Sequence, residues 1–231
     1  MRVSVCMAVY NGEKFLREQI DSILPQLRDS DELIISDDGS TDATLDILHG
    51  YEDDRISIIE SNGKNIIKNF ENALRQSSGD VVFLADQDDI WKPDKVEKCL
   101  EKLKKYDLVF SNVAIFNEDI STAQPLYPKG STRTGIVKNL VKNNYIGATM
   151  AFRKGILLKA LPFPDGIYMH DIWLAMTAEI IGKTYYFDEA LVFYRRHGEN
   201  ASQTGEKSSN SLDKKIRMRA VLVNNLFKRF L

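Results

Sequence analysis

The chain has 231 residues, 43% of them hydrophobic and 28% charged, and a formal net charge of −2. That length suits one compact core near the upper size of a single domain, and the composition is that of a soluble globular protein, not a disordered or membrane-embedded one. The small net charge excludes a global pull toward nucleic acid or anionic lipid, so any such attraction is local.

The first half alternates short β-rich runs with helical patterns. Val3–Val9 predicts a strand. Phe15, Leu16, Ile20, Ile23, Leu24 and Leu27 then recur at helical spacing. Glu32–Ser36 predicts a second strand, and Thr41 or Asp42 can cap a helix carrying Leu45 and Leu48. Ile56–Glu60 is a third strand, followed by a helix marked by Phe70, Ala73 and Leu74. Val81–Ala85 is a fourth, followed by a helix marked by Val96, Cys99, Leu100 and Leu103, and Leu108–Ser111 is a fifth. Residues 117–134 read as a long loop, which in a compact domain is usually functional or mobile. Beyond it the pattern predicts helices near 136–141, 156–161 and 171–181, a strand near 148–152, and extended segments at 184–187 and 191–194. Residues 198–210 are polar and predict a flexible stretch. Residues 212–231 predict a basic amphipathic helix whose apolar face carries Leu212, Ile216, Ala220, Val223, Phe227 and Phe230.

Strands alternating with helices imply right-handed βαβ units and an α/β architecture with a mostly parallel central sheet. The strands are near-continuous apolar runs, as expected when helices cover both faces. Ligands of such sheets bind beyond the carboxyl ends of the strands. That edge carries Tyr10-Asn11-Gly12, Asp37-Asp38-Gly39-Ser40 and Asp86-Gln87-Asp88-Asp89.

Three carboxylates within Asp86–Asp89 repel one another and are best tolerated around a cation. Mg²⁺ or Mn²⁺ takes one or two carboxylates plus phosphate oxygens. A solvated turn capping the helix near Pro93 would use the same residues. An EF-hand is excluded, because Ile90 and Trp91 stand where an oxygen ligand and a glycine are needed. No P-loop and no G-x-G-x-x-G occurs. At Asp37–Ser40 a carboxylate can accept from a base or ribose, and Gly39 permits close backbone approach; an ordinary Asx turn reads equally well.

The chain resembles glycosyltransferase family 2, inverting transferases of the GT-A fold. The resemblance covers nearly all of residues 1 to 200. It rests on Val3-Ser4-Val5-Cys6-Met7-Ala8-Val9-Tyr10-Asn11-Gly12, Ile35-Ser36-Asp37-Asp38-Gly39-Ser40-Thr41-Asp42 and Ala85-Asp86-Gln87-Asp88-Asp89-Ile90-Trp91-Lys92-Pro93-Asp94. His170-Asp171-Ile172-Trp173-Leu174-Ala175 and Tyr194-Arg195-Arg196-His197 complete it. The resemblance implies a Rossmann-like GT-A domain over 1–200; beyond it the composition and periodicity predict a flexible linker over 201–211 and the helix over 212–231. It implies that Ala8 and Tyr10 line a nucleotide pocket, Asp38 reads the base, and Asp86 approaches the ribose or the metal. It further implies that Asp88 ligates Mn²⁺ or Mg²⁺, that His197 helps hold the metal or diphosphate, and that Asp171 is the catalytic base. His170, Trp173 and Trp91 are candidates for the acceptor or sugar pocket. His170-Asp171 stands where the family often has Glu-Asp, so the acceptor pocket is expected to differ. The family's usual basic residue after the third strand aligns with either Lys64 or Lys68.

The implied donor is a nucleoside-diphosphate sugar. The motif wording is closest to bacterial surface-polysaccharide enzymes, with dTDP-rhamnose favoured over UDP-glucose or UDP-galactose. The acceptor would be a glycan or a polyprenyl-diphosphate-linked sugar. Two alternatives compete: a sugar nucleotidyltransferase, which would carry a Gly-rich, Arg-containing loop after the first strand, and a non-catalytic nucleotide-sugar-binding partner domain, against which intact Asp88 and Asp171 argue. Cys6 and Cys99 form no CxxC pair and read as buried thiols in a reducing compartment. The N-terminal apolar run is too short for a signal peptide, and no segment reaches the ~20 apolar residues of a membrane span. The expected location is cytoplasmic, with peripheral contact to the inner face of the cytoplasmic membrane through 212–231.

Overall fold

A computed structural model of the chain describes residues 1–61, 63, 65–130, 133–198, 200 and 210–230. Lys64 and most of the expected linker, residues 201–209, lie outside the described residues.

The N-terminal half follows the predicted alternation. Its elements are β1 (Val3–Val9), α1 (Leu16–Ile23), β2 (Glu32–Asp37), α2 (Thr44–His49), β3 (Ile56–Glu60), α3 (Ile66–Gln76) and β4 (Val81–Asp86). The C-terminal half contains β5 (Ile90–Trp91), α4 (Lys95–Lys102), β6 (Leu108–Phe116), β7 (Gln124–Pro125), α5 (Ile136–Val141), β8 (Ala151–Arg153), α6 (Lys154–Ala160), α7 (His170–Ile181), β9 (Thr184–Arg195) and α8 (Leu212–Phe230).

All the strands join one sheet in the order β3-β2-β1-β4-β8-β6-β9-β5, with β7 on β6. Strands β1 to β4 are mutually parallel, and β8 is antiparallel to both β4 and β6, which restores the common direction at β6 and its parallel partner β9. Only the short strands β5, β7 and β8 run against it. Helices cover both faces. Val3, Val5, Met7 and Val9 of β1 point into a core with Leu16, Ile20, Leu48 and Cys99; Cys6 points the other way, toward Phe70, Leu74 and the residues of α6 and α7. Both cysteines are buried free thiols.

Several boundaries differ from the sequence pattern for local reasons. Strand β6 runs past Ser111 to Phe116, because polar Ser111 and Asn112 are buried and bonded within the sheet. The two extended segments at 184–187 and 191–194 are one strand. Phe187 pairs with Ser111 and Ala190 with Asn112, so exposed Asp188 and Glu189 bulge out between them. The strand near 148–152 is shorter, and Gly147–Thr149 forms a single tight turn before β8.

Helix α8 is present but docks through a different face from the one its apolar stripe predicts. Leu222 and Leu226 are buried against the domain, each contributing about 1.5–3 kcal/mol of apolar burial. Arg219 Nε donates to Leu140 O at 2.8 Å, and Arg229 donates to carbonyls at Lys159 through Pro162. Leu212, Ile216, Val223 and Phe227 are left exposed.

Candidate active site

Because β1, β2 and β4 are parallel, their carboxyl ends meet on one edge: Ala8 is flanked by Ser36 of β2 and Asp86 of β4. The loops leaving these strands are stitched together. Tyr10 N–H donates to Gln87 Oε1 at 2.8 Å and Gln87 Nε2 donates back to Tyr10 O at 3.1 Å. Asn11 N–H donates to Ser40 Oγ at 2.9 Å, while Asn11 Oδ1 accepts from Thr41 N–H at 2.8 Å. A Cβ on Gly12 would lie 2.8 Å from Gln87 Oε1, so glycine there lets the first loop close on the acidic one.

The two adjacent acids after β2 divide their work. Asp37 is buried, and its Oδ2 accepts from the N–H groups of Gly39 and Ser40, both at 3.0 Å. It shapes the turn in which Gly39 sits at φ +84°. Asp38 is half-buried, and its Oδ2 accepts from Asn65 N–H at the cap of α3 at 2.8 Å.

The acidic loop is held from behind by residues distant in sequence. Gln19 Nε2 donates to Asp86 O at 2.7 Å from inside the core. Arg195, at the end of β9, donates its backbone N–H to Asp89 Oδ1 at 3.1 Å and its Nε to Asp88 O at 3.2 Å. Its guanidinium pairs with Glu18 and lies 4.7 Å from the ring centres of both Phe15 and Phe116. His197 Nε2 lies 2.8 Å from Asp88 Oδ2, and Asn200 Nδ2 donates to the same oxygen at 3.0 Å. Burial, reinforced by Asp88 and Asp171, raises Asp86 well above the usual carboxylate range; burial and its acidic neighbours do the same to Asp89.

Asp171 is in the first turn of α7 and is 8% exposed. It is not the helix cap, which is Met169. Its Oδ1 accepts from Ile172 N–H at 2.6 Å, and Gly147 N–H also donates to the carboxylate. A Cβ on Gly147 would lie 3.2 Å from Asp171 Cβ, so the Gly147–Thr149 turn seats the acid closely. Burial pushes the carboxyl up to about 6. Its charge acts on Asp86, so the two carboxylates are within electrostatic reach of each other.

His170 is buried and stacks on Phe70 with ring centres 4.0 Å apart. Neither ring nitrogen has a hydrogen-bond partner among the described residues, and burial lowers its pKa to about 3, so the ring is neutral near pH 7. The fold does not bring Trp173 to the sheet edge. It is fully buried, its Nε1–H donates to Ala160 O at 2.9 Å, and it packs near Phe230. An indole satisfied inside the core has no free face for a sugar. Trp91, 2% exposed, lies under the acidic loop with its ring against Lys95. Lys68 pairs with Glu71 at 3.0 Å.

Gln19, Lys95 and Asn200 were not singled out by the sequence pattern, and Arg195 stood only within the Tyr194–His197 motif with no role of its own. Lys95 carried a signal as well: it shares a helix face with Cys99 and Leu103, an i, i+4, i+8 series that is otherwise apolar.

The donor set fits a hard divalent cation that arrives with a diphosphate. Asp88 Oδ2 and His197 Nε2 lie 2.8 Å apart, and Asp89 Oδ2 is a buried oxygen with no partner among the described residues. Among the same residues no three His, Cys, Asp or Glu side chains form a ready cage. Mg²⁺ and Mn²⁺ need no such cage when phosphate and water complete the shell.

The chain is similar to known proteins over most of its length. The model of the family described as Glycosyl transferase family 2 matches residues 4–160, which ends before Asp171 and His197. A dTDP-rhamnosyl transferase of Shigella flexneri, RfbG, is 29% identical over 84% of this chain and 72% of its own length. Staphylococcus aureus TarS (residues 1–349) in complex with UDP-GlcNAc superposes with a TM-score of 0.71 at 19% identity, over 97% of this chain and 67% of that one. Glucosyl-3-phosphoglycerate synthase of Mycobacterium tuberculosis, in complex with Mn²⁺, UDP and phosphoglyceric acid, superposes with a TM-score of 0.62 at 21% identity, over 99% of this chain and 78% of that one. The chain spans 45% and 44% of the length of two other curated relatives. The fold is the GT-A fold of these structures, and with its strand-end loops matched by the family model, the chain belongs to glycosyl transferase family 2.

Proposed function

We propose that the chain is a metal-dependent inverting glycosyltransferase of bacterial surface-polysaccharide synthesis. It moves a sugar from a nucleoside diphosphate to a hydroxyl of a glycan or lipid-linked acceptor. The observation that carries this reading is the acidic loop at the end of β4, where His197 meets Asp88 at 2.8 Å and the buried carboxylate of Asp171 acts electrostatically on Asp86. The transferase unit is residues 1–200, joined through 201–211 to the terminal helix.

In this reading Ala8, Tyr10 and Asp38 hold the nucleoside, and Asp86 faces the ribose or the metal. Asp88 and His197 hold Mn²⁺ or Mg²⁺. The metal, when bound, neutralises charge on the departing diphosphate. Asp171 accepts the proton of the acceptor hydroxyl as that oxygen attacks the far face of the anomeric carbon. One base and one displacement invert the centre, by the logic of inverting glycosidases. The raised affinity of Asp171 for a proton suits a base working near neutral pH. Neutral His170 is adjacent to it and belongs to the acceptor side.

The Shigella relative supports dTDP-rhamnose as the leading donor, with UDP-glucose and UDP-galactose next. The decisive experiment gives each donor to the purified chain with Mn²⁺ and follows nucleoside diphosphate release and product anomer by NMR. One donor should turn over with inversion and stop on EDTA. Retention of configuration, or full turnover in EDTA, would sink the mechanism.

The same proposal puts the chain at the inner face of the cytoplasmic membrane. No helix among the described residues is long and apolar enough to cross a membrane, so the contact is interfacial. Its support is the exposed stripe Leu212, Ile216, Val223 and Phe227 of α8, bordered by exposed Lys214, Arg217 and Lys228. Helix α5, tied to α8 by the Arg219–Leu140 hydrogen bond, adds exposed Val137, Val141 and Lys142. Apolar burial plus basic charge fits an anionic lipid surface. Sedimentation with phosphatidylglycerol vesicles should pellet the chain at low salt and not its Ile216→Asp/Phe227→Asp variant. Equal pelleting of the two would exclude this face.

A further inference from the structure

Helix α8 docks beside Asp171 through a face other than its exposed apolar stripe. Helices α6 and α7 are joined by residues 161–169, which form no helix or strand among the described residues. Helix α7 starts directly after them with His170 and Asp171. Helix α8 holds this connection along its length. Arg229 donates to the carbonyls of Lys159, Ala160, Leu161 and Pro162, where α6 ends. Asn225 Nδ2 donates to Asp165 O at 3.3 Å. Val221 lies 3.5 Å from where a Cβ on Gly166 would stand. The Arg219 guanidinium lies 6.0 Å from the centre of the Tyr168 ring, while its Nε ties in α5 at Leu140 O.

The same helix then covers α7 just past the acid. The Arg229 guanidinium lies 5.5 Å from the centre of the Trp173 ring, and Phe230 stacks on that indole with ring centres 6.5 Å apart. Asp171 is thereby bracketed: Tyr168 before it in the chain and Trp173 after it are both faced by α8. A connection without a helix or strand takes its order from tertiary contacts. Leu222 and Leu226 of α8 join the same core as Phe163, Ile167 and Trp173. The polar contacts add direction to that packing, because Arg229 satisfies carbonyls that the end of α6 leaves unpaired. Direction matters at this place, since a displacement of about 1 Å at a reacting group can cost about 10²-fold in rate.

We propose that α8 is a positioning element of the acceptor side, with Arg219 and Arg229 as its positioning residues: by holding the chain from Tyr168 to Trp173 it fixes Asp171 against the Gly147 turn. The contacts that do this all lie on the α5, α6 and α7 side, so their loss should reach the base and leave the nucleotide loops after β1 and β2 in place. Only the effect on turnover rests on the function proposed above.

Native-state hydrogen exchange of the full chain tests it, comparing Arg219→Met/Arg229→Met with the parent. Methionine keeps the apolar stems and removes both guanidinium groups. Exchange over residues 165–173 should quicken at least about tenfold, while residues 4–9 of β1 and 33–37 of β2 should change less than about twofold. Unchanged exchange over 165–173, or an equal quickening of the whole chain, would overturn the proposal and leave α8 as packing. The second readout is turnover with the donor that the parent uses. Here kcat should fall at least about tenfold, with donor KM held within about twofold. Local quickening at unchanged kcat would overturn the positioning role. If the double variant does not fold, Arg219→Met alone is held to the same two criteria. If the parent turns over no donor, the proposed function falls, and exchange alone decides whether α8 fixes Asp171.

Discussion

The two halves of the sheet build the site in different ways. On the β3-β2-β1-β4 side, each functional loop leaves a parallel strand directly, and the loops hold one another through short polar contacts such as Tyr10 with Gln87. Asp38 and Asp88 there stay in reach of solvent. On the β8-β6-β9-β5 side, the contributing groups come from far along the chain, and of the two Asp171 is buried while His197 is half-buried. His197 meets Asp88 across 109 residues, and Asp171 is pressed against the Gly147 turn. The difference fits the two tasks proposed above. Binding a charged, hydrated nucleotide suits polar loops, whereas a proton acceptor gains from a dry setting that raises its basicity.

The strongest way to break this contrast is to disable the buried side alone. Asp171→Asn should lower kcat by about 10³–10⁴-fold, because the amide keeps the size of the acid but accepts no proton. Donor affinity, read by calorimetry, should stay within a factor of a few. The same variant should raise Tm at pH 7, since it removes a buried charge. Lost donor binding together with substantial residual turnover would move Asp171 into the nucleotide pocket. Asp88→Ala attacks the other side and should cost about 10³-fold in kcat/KM, from the lost stabilisation of the leaving diphosphate. It also strips His197 and Asn200 of their shared partner. Near-normal activity of this variant in EDTA would refute the metal assignment.

The same contrast governs what could be read from sequence. Strands β1 to β4 were legible because strands covered on both faces are near-continuous apolar runs, and their C-terminal loops followed from the parallel order. Strand β5 was not, since two residues carry no periodicity. The contacts of Arg195 with Asp89 and of His197 with Asp88 depend on β9 returning beside β6, which no local pattern encodes. Trp173 misled because two positions along a helix from Asp171 a side chain points to the opposite side, here into the core. Helix α8 was legible as a helix, but its docking face was not. It carries Leu222 and Leu226 on one side and the Leu212–Phe227 stripe on another, and tertiary packing chose the first.

A pH profile sharpens the comparison without any mutation. Burial raises Asp171 from 3.8 to about 6, and only the ionised form acts as base. The profile of kcat/KM should therefore fall about tenfold per unit below that pH and level off above it. The sign for stability is opposite. The folded state binds this proton more tightly than the unfolded chain, so the contribution is fully present below the unfolded value and is lost as pH rises through the folded one. An acid limb that survives unchanged in the residual activity of Asp171→Asn would assign it to another group.

The smallest expected effect belongs to the solvent-facing side. Asp38 accepts a hydrogen bond from Asn65 N–H and is half-buried beside the Gly39 turn. The neighbouring Asp37 carries the turn itself, through Gly39 and Ser40, so Asp38→Ala should leave the loop folded. A contact to the nucleoside is the same in the bound substrate and in the transition state, because the base is remote from the anomeric carbon. Its loss should raise donor KM by about tenfold, the worth of one charge-assisted hydrogen bond, with kcat changed by less than about threefold. Asp37→Ala is the control. It removes the turn and should lower Tm as well as donor affinity, whereas Asp38→Ala should lower affinity alone. A large fall in kcat at unchanged KM for Asp38→Ala would place that carboxylate at the reacting centre and erase the division between the two sides.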